Sequence, residues 1–147
     1  MAGCLPTSCY MPSLFSRWQA LSNNGERAWR CGQFSLAKLA WQEAALLAQQ
    51  FLTASAAVEQ LSAFHTSQHQ LAKLALRQAK PEQAAHHYCQ AINRLREWTS
   101  TLPSMEQSQI HQHFQQTLQA LAELAEQGVH TPQMDTLMTA TANFSRA

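Results

Sequence analysis

An all-α protein of antiparallel helical hairpins is the fold class this sequence predicts, on three observations. Ala, Leu and Gln abound while helix breakers are scarce, with four glycines and five prolines in 147 residues. Small and unbranched side chains lose little rotamer freedom in a helix. Apolar residues recur at spacings of three and four rather than two, and breakers fall between these runs, cutting the chain into about five to six helices. One domain accounts for this length.

In chain order, residues 1–12 hold two prolines, two cysteines and a glycine without periodicity, which predicts a poorly ordered leader. The folded domain is expected over 13–142, with 143–147 as a frayed tail. Ser13 is placed to cap a first helix carrying Leu14, Trp18, Leu21, Ala28 and Trp29 and running to Cys31. Gly32 can end it, since a residue without Cβ adopts the left-handed conformation freely. From about Ser35 to Leu52, a second helix presents Leu36, Leu39, Ala40, Trp41, Ala44, Leu47 and Phe51 as one wide apolar face. A corner at 53–57 precedes a third helix with Val58, Leu61, Phe64, Leu71, Leu74 and Ala75, reaching about Ala79. Pro81 suits the first turn of a fourth, lined by Ala84, Tyr88, Ala91, Ile92 and Leu95. After a break at 99–103, Ser104 and Gln107 form a capping-box signature. The stripe Ile110, Phe114, Leu118, Leu121 and Leu124 follows, ending at Gly128. Thr131-Pro132 opens a short last helix with Met134, Leu137, Met138 and Ala140.

Charge and composition exclude several classes of function. Net charge is +1 and charged residues make up 13%, about half the usual quarter, so neither a nucleic-acid nor an anionic-membrane partner is indicated. No apolar run approaches the roughly 18 to 20 residues that span a bilayer. The first residues lack a basic and apolar signal pattern, and Ala2-Gly3-Cys4 lacks the apolar segment that precedes a lipidated cysteine. A cytoplasmic protein is expected. In that compartment Cys4, Cys9, Cys31 and Cys89 read as free thiols.

The residues where the first and second helices would meet fall in a specific order: Gly25, Gly32, Phe34, Ala37, Trp41 and Ala44. The third and fourth repeat it 47 residues later with Ala72, Ala79, Pro81, Ala84, Tyr88 and Ala91, Pro81 standing where the aromatic would be. Small residues let paired helices approach, and aromatics fill the gap to the next pair. The pattern resembles the tetratricopeptide repeat, and the chain is similar to small bacterial proteins of that kind. The resemblance implies a right-handed superhelix of two clear repeats and one degenerate repeat, the last made from the 104–128 and Pro132 helices. Because the repeat is normally about 34 residues, the two central helices are expected to be lengthened. The resemblance also implies a concave face that binds a protein or peptide, with no catalytic residues and no cofactor.

On that face the resemblance puts Asn23, Glu26, Trp29 and Arg30, then His69, Lys73 and Arg77. Trp29 is the natural anchor, and Arg30, Lys73 and Arg77 could bracket a carboxylate. An unpaired hairpin end could instead bury itself in a homodimer. Among seven histidines, His65 and His69 stand one helical turn apart, a spacing that can hold a metal. The zinc-protease motif fails because Thr66 stands where its glutamate is needed. His86 and His87 lie too far along the helical axis to join them, and His111 and His113 should face solvent. Asp135 is the sole aspartate, no glutamate pair suggests acid–base chemistry, and Cys89 beside His86 and His87 is poorly aligned for a nucleophile. A non-enzymatic binding module is expected.

Overall fold

The computed structural model describes residues 13–54, 58–99, 104–137 and 139. Five long helices follow in order: α1 (Leu14–Arg30), α2 (Phe34–Ala54), α3 (Val58–Arg77), α4 (Pro81–Thr99) and α5 (Ser104–Glu126). A short α6 covers 132–137. Among the described residues there is no strand, and the protein is all-α. The expected leader, most of the 53–57 and 99–103 breaks, the tail, Met138 and Ala140 lie outside the described residues, as do the side chains of Phe51, Val58, Ser104 and Gln107.

Each of the five long helices packs on the next, and α3 also touches α1 and α5. Two layers result, with α1, α3 and α5 in one and α2 and α4 in the other. The central helices are long, at 21 and 20 residues, which is where the excess over a standard repeat was expected.

Helix ends show why the chain folds back where it does. Ser13 caps α1, its Oγ accepting from Ser16 N at 3.1 Å. Three C-termini then close identically. Gln33 N–H donates to Ala28 O at 2.8 Å, Lys80 N–H to Ala75 O at 2.8 Å, and Val129 N–H to Leu124 O at 3.0 Å. This is the Schellman closure, which requires positive φ at the residue before the donor. Gly32 sits at +75°, Gly128 at +92° and Ala79 at +59°. The corner after α5 thus repeats those of the first two hairpins, and Thr131 Oγ1 starts α6 by accepting from Met134 N at 3.1 Å.

Within the first hairpin the fit is steric. Trp41 is 0% exposed, and a Cβ on Gly25 would overlap its Nε1 and Cδ1 and come within 2.8 Å of Cε2. Gly25 is therefore a contact glycine, not a loop glycine. The indole Nε1–H donates to Ser22 O at 3.1 Å, so the buried ring leaves no polar group unmatched.

The apolar face of α2 differs from the expectation. Its buried side runs through Ala37, Trp41, Ala44, Ala45, Leu47 and Ala48, whereas Leu36 and Leu39 are 55% and 59% exposed and Leu46 is 62% exposed. Close helix approach selects the alanines for the seam and turns the larger leucines outward. Leu14, also expected in the core, is 38% exposed. On α5 the centre of the stripe is Thr117, fully buried, and Leu118 lies at its margin.

Candidate functional site

A pocket of about 440 Å³ lies between α3 and α5. Its walls are His65, Thr66, His69, Gln70 and Lys73 from α3, Tyr88 from α4, and His113 and Gln116 from α5. Helical spacing puts His65, His69 and Lys73 on one face of α3 at successive turns. Packing against α5 then brings in a third imidazole: ring centroids of His65 and His69 are 4.2 Å apart, and those of His65 and His113 4.3 Å. Tyr88 meets His69 edge-on at 4.9 Å.

One hydroxyl organises these rings. Thr117 Oγ1 donates to the carbonyl of His113 at 3.0 Å, so its two lone pairs are left to accept. They receive His65 Nε2–H at 2.9 Å and His69 Nε2–H at 2.8 Å. His65 Nε2 also lies 3.2 Å from the His113 carbonyl. With the Thr117 proton on the His113 carbonyl, both rings donate from Nε2, leaving Nδ1 as the nitrogen that titrates. His113 Nε2 pairs with Ser62 Oγ at 3.1 Å, while its Nδ1 is buried without a hydrogen bond, as is Gln70 Oε1.

Burial and mutual repulsion keep the rings neutral. Desolvation, then the neighbouring His69 and His113, lowers His65 to about 3. Desolvation and His113 lower His69 to about 4, and burial lowers His113 as well. Tyr88 moves the other way, raised by burial and then by the Glu123 carboxylate. Each shift disfavours the charged form in a low-dielectric setting.

Towards α1 the groove continues as an aromatic and charged ladder. Lys73 Nζ lies 3.8 Å from Glu26 Oε1 and 4.6 Å from the centroid of the Trp29 ring. Trp29 packs edge-on against Phe34 at 5.1 Å and tilted on Trp41 at 5.8 Å. Arg77 lies over Phe34 at 5.1 Å. Gln70 Nε2–H donates to Ser22 Oγ at 2.9 Å, tying α3 to α1.

Residues 16–146 match a family model described as protein of unknown function (DUF2753). The chain belongs to that family. No curated protein and no solved structure matches it.

In this family member the structure gathers part of the expected face. Glu26, Trp29 and Lys73 touch one another, His69 and Lys73 line the same pocket, and Arg77 stands over Phe34. Asn23 and Arg30 are exposed on α1 and do not line that pocket. Trp29 keeps the place expected for it among the apolar residues of α1, and one expectation, for His113, is corrected. Trp29 is half-buried on Phe34 and Trp41, so it has a packing role as well as an exposed edge. His113 does not face solvent: α5 packs on α3 and turns it into the imidazole cluster, while His111 is exposed. His87 bonds Gln68 Oε1 through Nδ1 at 2.9 Å, and His86 Nδ1 lies 3.2 Å from Gln133 Oε1, both away from the cluster.

The metal reading of His65 and His69 is not met through their Nε2 atoms, which both lie against Thr117 Oγ1. Among the described residues no group of three His, Cys, Asp or Glu is arranged to hold a metal. Cys31 is an exposed free thiol and Cys89 a buried one. Burial pushes the Cys89 thiol up to about 11, which keeps it protonated and unreactive at neutral pH. Thr117, Tyr88 and Gln116 were not among the expected site residues. The one available signal was Thr117 itself, a polar residue three after Phe114 and four before Leu121 on a buried stripe, where a hydroxyl needs partners.

Proposed function

We propose that this protein is a non-enzymatic, tetratricopeptide-like interaction module that binds a peptide or protein segment in the groove running from His65 and His113 past Lys73 to Trp29 and Arg77. The pocket between α3 and α5 is the observation that carries this reading. It is lined by hydrogen-bonding side chains held in place by one another, and two of their atoms, Gln70 Oε1 and His113 Nδ1, are buried without a partner in the protein. An occupant of the pocket would meet its more accessible members, exposed Lys73 and Gln116 and half-buried Thr66 and His69, which offer hydrogen-bonding groups along one groove. The setting we propose is cytoplasmic. Among the described residues no helix is long and apolar enough to cross a membrane.

The test is affinity capture with the full chain against Lys73→Glu and Arg77→Glu variants, which alter exposed charges without touching the core. Partners lost on both substitutions support the groove. Partners retained equally by both would reject it.

A second reading, self-association, is favoured by a different observation: Leu36, Leu39 and Leu46 all project from one face of α2. Exposed leucines at such spacing are a common basis for homodimers. Sedimentation equilibrium of the wild type and Leu39→Glu/Leu46→Glu at high concentration decides it, and a monomeric wild type excludes it.

A further inference from the structure

We propose that the pocket over His65, His69 and His113 takes the side-chain carboxylates of an acidic peptide segment and takes up a proton as it binds. The inference rests on the peptide-groove reading above and names the chemistry of the occupant and how its binding is regulated.

Charge complementarity is the first ground. Lys73 and three imidazoles line the pocket together with two amides, and no carboxylate is among its lining residues. A basic segment would meet Lys73 as a like charge, with only the neutral imidazoles and amides to receive it. A neutral segment would leave Lys73 with no carboxylate but Glu26, at 3.8 Å and on a partly exposed pair.

The second ground is where the protons are. Thr117 already consumes the Nε2–H groups of His65 and His69, so a neutral ring offers a ligand only the lone pair of Nδ1. Protonation at Nδ1 turns that acceptor into a charged donor, which suits a carboxylate oxygen.

Proximity supplies the third. With centroids 4.2 and 4.3 Å apart, the rings resist even one positive charge, and a second would repel the first. The ionisable groups around them act as follows. Lys73 on α3 opposes protonation, and Glu26 on α1 offsets Lys73 only in part. Tyr88 on α4 is kept neutral by its burial and by Glu123 on α5. What would relieve the repulsion is an anion in the pocket. It raises the imidazole it touches towards the ordinary range, so the complex holds more protons than its free components. Affinity therefore rises as pH falls, by up to about ten-fold per pH unit for each proton taken up.

The experiment is a titration of the isotope-labelled full chain with N-acetylated, C-amidated tetraglutamate, tetraglutamine and tetralysine peptides and with succinate, at about pH 7.5 and about pH 6. Calorimetry in two buffers of different ionisation heat accompanies it. The expected result is that tetraglutamate alone shifts the resonances of His65, His69 and Lys73, binds about four-fold tighter at the lower pH, and gives a buffer-dependent heat that reports proton uptake. Glu26→Gln, which releases Lys73 without disturbing the cluster, should tighten binding at both pH values. His69→Gln should flatten the pH dependence, and Lys73→Gln should weaken binding without flattening it. Tetraglutamine or tetralysine shifting the same residues as strongly would overturn the acidic occupant while leaving the peptide groove standing. Succinate binding as tightly as tetraglutamate would overturn the peptide as the source of the carboxylate. Pocket resonances unmoved by all three peptides would remove this inference and the groove reading together. Binding of tetraglutamate with no pH dependence and no buffer dependence would overturn the proton uptake.

Discussion

Two seams hold α3's neighbours in place by opposite means. Between α1 and α2 the contact is dry and steric: Gly25 lies flat on an indole that no solvent reaches, and the one polar atom of that indole is paired to Ser22 O. Between α3 and α5 the contact is polar. Fully buried Thr117 satisfies two imidazoles at once and spends its own proton on a backbone carbonyl. The first seam has no tunable part, because removing or adding atoms only misfits it. The second depends on protonation, and it forms the wall of the pocket. A module that needs both a rigid frame and a responsive surface has them here on opposite sides of the same helix.

The steric seam should give the largest effects. Trp41→Ala is expected to cost about 3–5 kcal/mol, the range for emptying a large aromatic site. Gly25→Ala should cost about 1–3 kcal/mol by overpacking, even though alanine is the better helix former. The discriminating measurement is denaturant unfolding of the double variant. With the indole gone, Gly25→Ala should reverse sign and stabilise by about 1 kcal/mol through helix propensity alone. If Gly25→Ala costs the same in both backgrounds, the contact is not what selects glycine.

At the polar seam, Thr117→Val keeps the volume but strips the acceptor, leaving two buried N–H groups with little but the His113 carbonyl to share. A loss of about 2–3 kcal/mol is expected at neutral pH, and Thr117→Ser should recover most of it. The two seams also part company with pH. His65 and His69 titrate near 3 and 4 in the fold against an ordinary value near 6.5. The unfolded chain therefore binds more protons below about pH 6.5, and the stability gained from neutral rings is present above that value and lost as pH falls. The loss is up to about 1.4 kcal/mol per pH unit per ring down to the folded values. His87, lowered to about 4 by burial and by His86, adds to it in a diluted way because it is more exposed. Thermal midpoints measured between neutral and mildly acid pH should fall for the wild type and fall less for His65→Phe, which removes one titrating ring. Equal slopes for the two proteins would deny the cluster its role in acid lability.

This contrast also explains what could be read from the residues and what could not. Gly25, Trp41 and Gly32 announce themselves because a steric seam between consecutive helices is local, and glycine or tryptophan at those spacings has few other uses. The Thr117 to His65 and His69 bonds join positions 52 and 48 residues apart, and nothing within either helix shows which residues will meet. The stripe on α5 was legible in period and phase, with Ile110, Phe114, Leu121 and Leu124 buried as expected; only Leu118 lies at the margin, and Thr117 took the centre because α3 offered it two donors. On α2 likewise Trp41, Ala44 and Leu47 are inside as expected, while Leu36 and Leu39 turn outward. Apolar character marks which residues can be buried, and the small residues decide which are. Trp29 was recognised as a surface candidate, but its packing on Trp41 and Phe34 arises only after the Gly32 corner folds α2 back.

The three helix corners offer a finer test of how far the hairpins are equivalent. All three use the same pair of backbone bonds, yet the middle one places Ala79, at φ +59°, where the others have glycine. An L side chain in that conformation costs about 1 kcal/mol, so Ala79→Gly should stabilise the protein. The gain is expected to be below about 1 kcal/mol, since glycine also loosens the unfolded chain. Gly32→Ala and Gly128→Ala should each destabilise by a similar amount, for a Cβ there meets no atom within 4 Å and only the backbone conformation opposes it.

Smallest of all should be the Glu26–Lys73 pair, which joins the two seams. At 3.8 Å between partly exposed side chains, it is of the kind that contributes about 0–1 kcal/mol. Lys73 also stands over the Trp29 ring at 4.6 Å, a contact that does not involve the carboxylate. Glu26→Gln should therefore leave the thermal midpoint within about 2 °C of wild type, with the difference shrinking further in high salt. If this single exposed charge moved the midpoint as much as Thr117→Val, α1 would be bound to α3 by electrostatics rather than by the ring stack beneath, and the division into a steric frame and a polar wall would fail at the point where they meet.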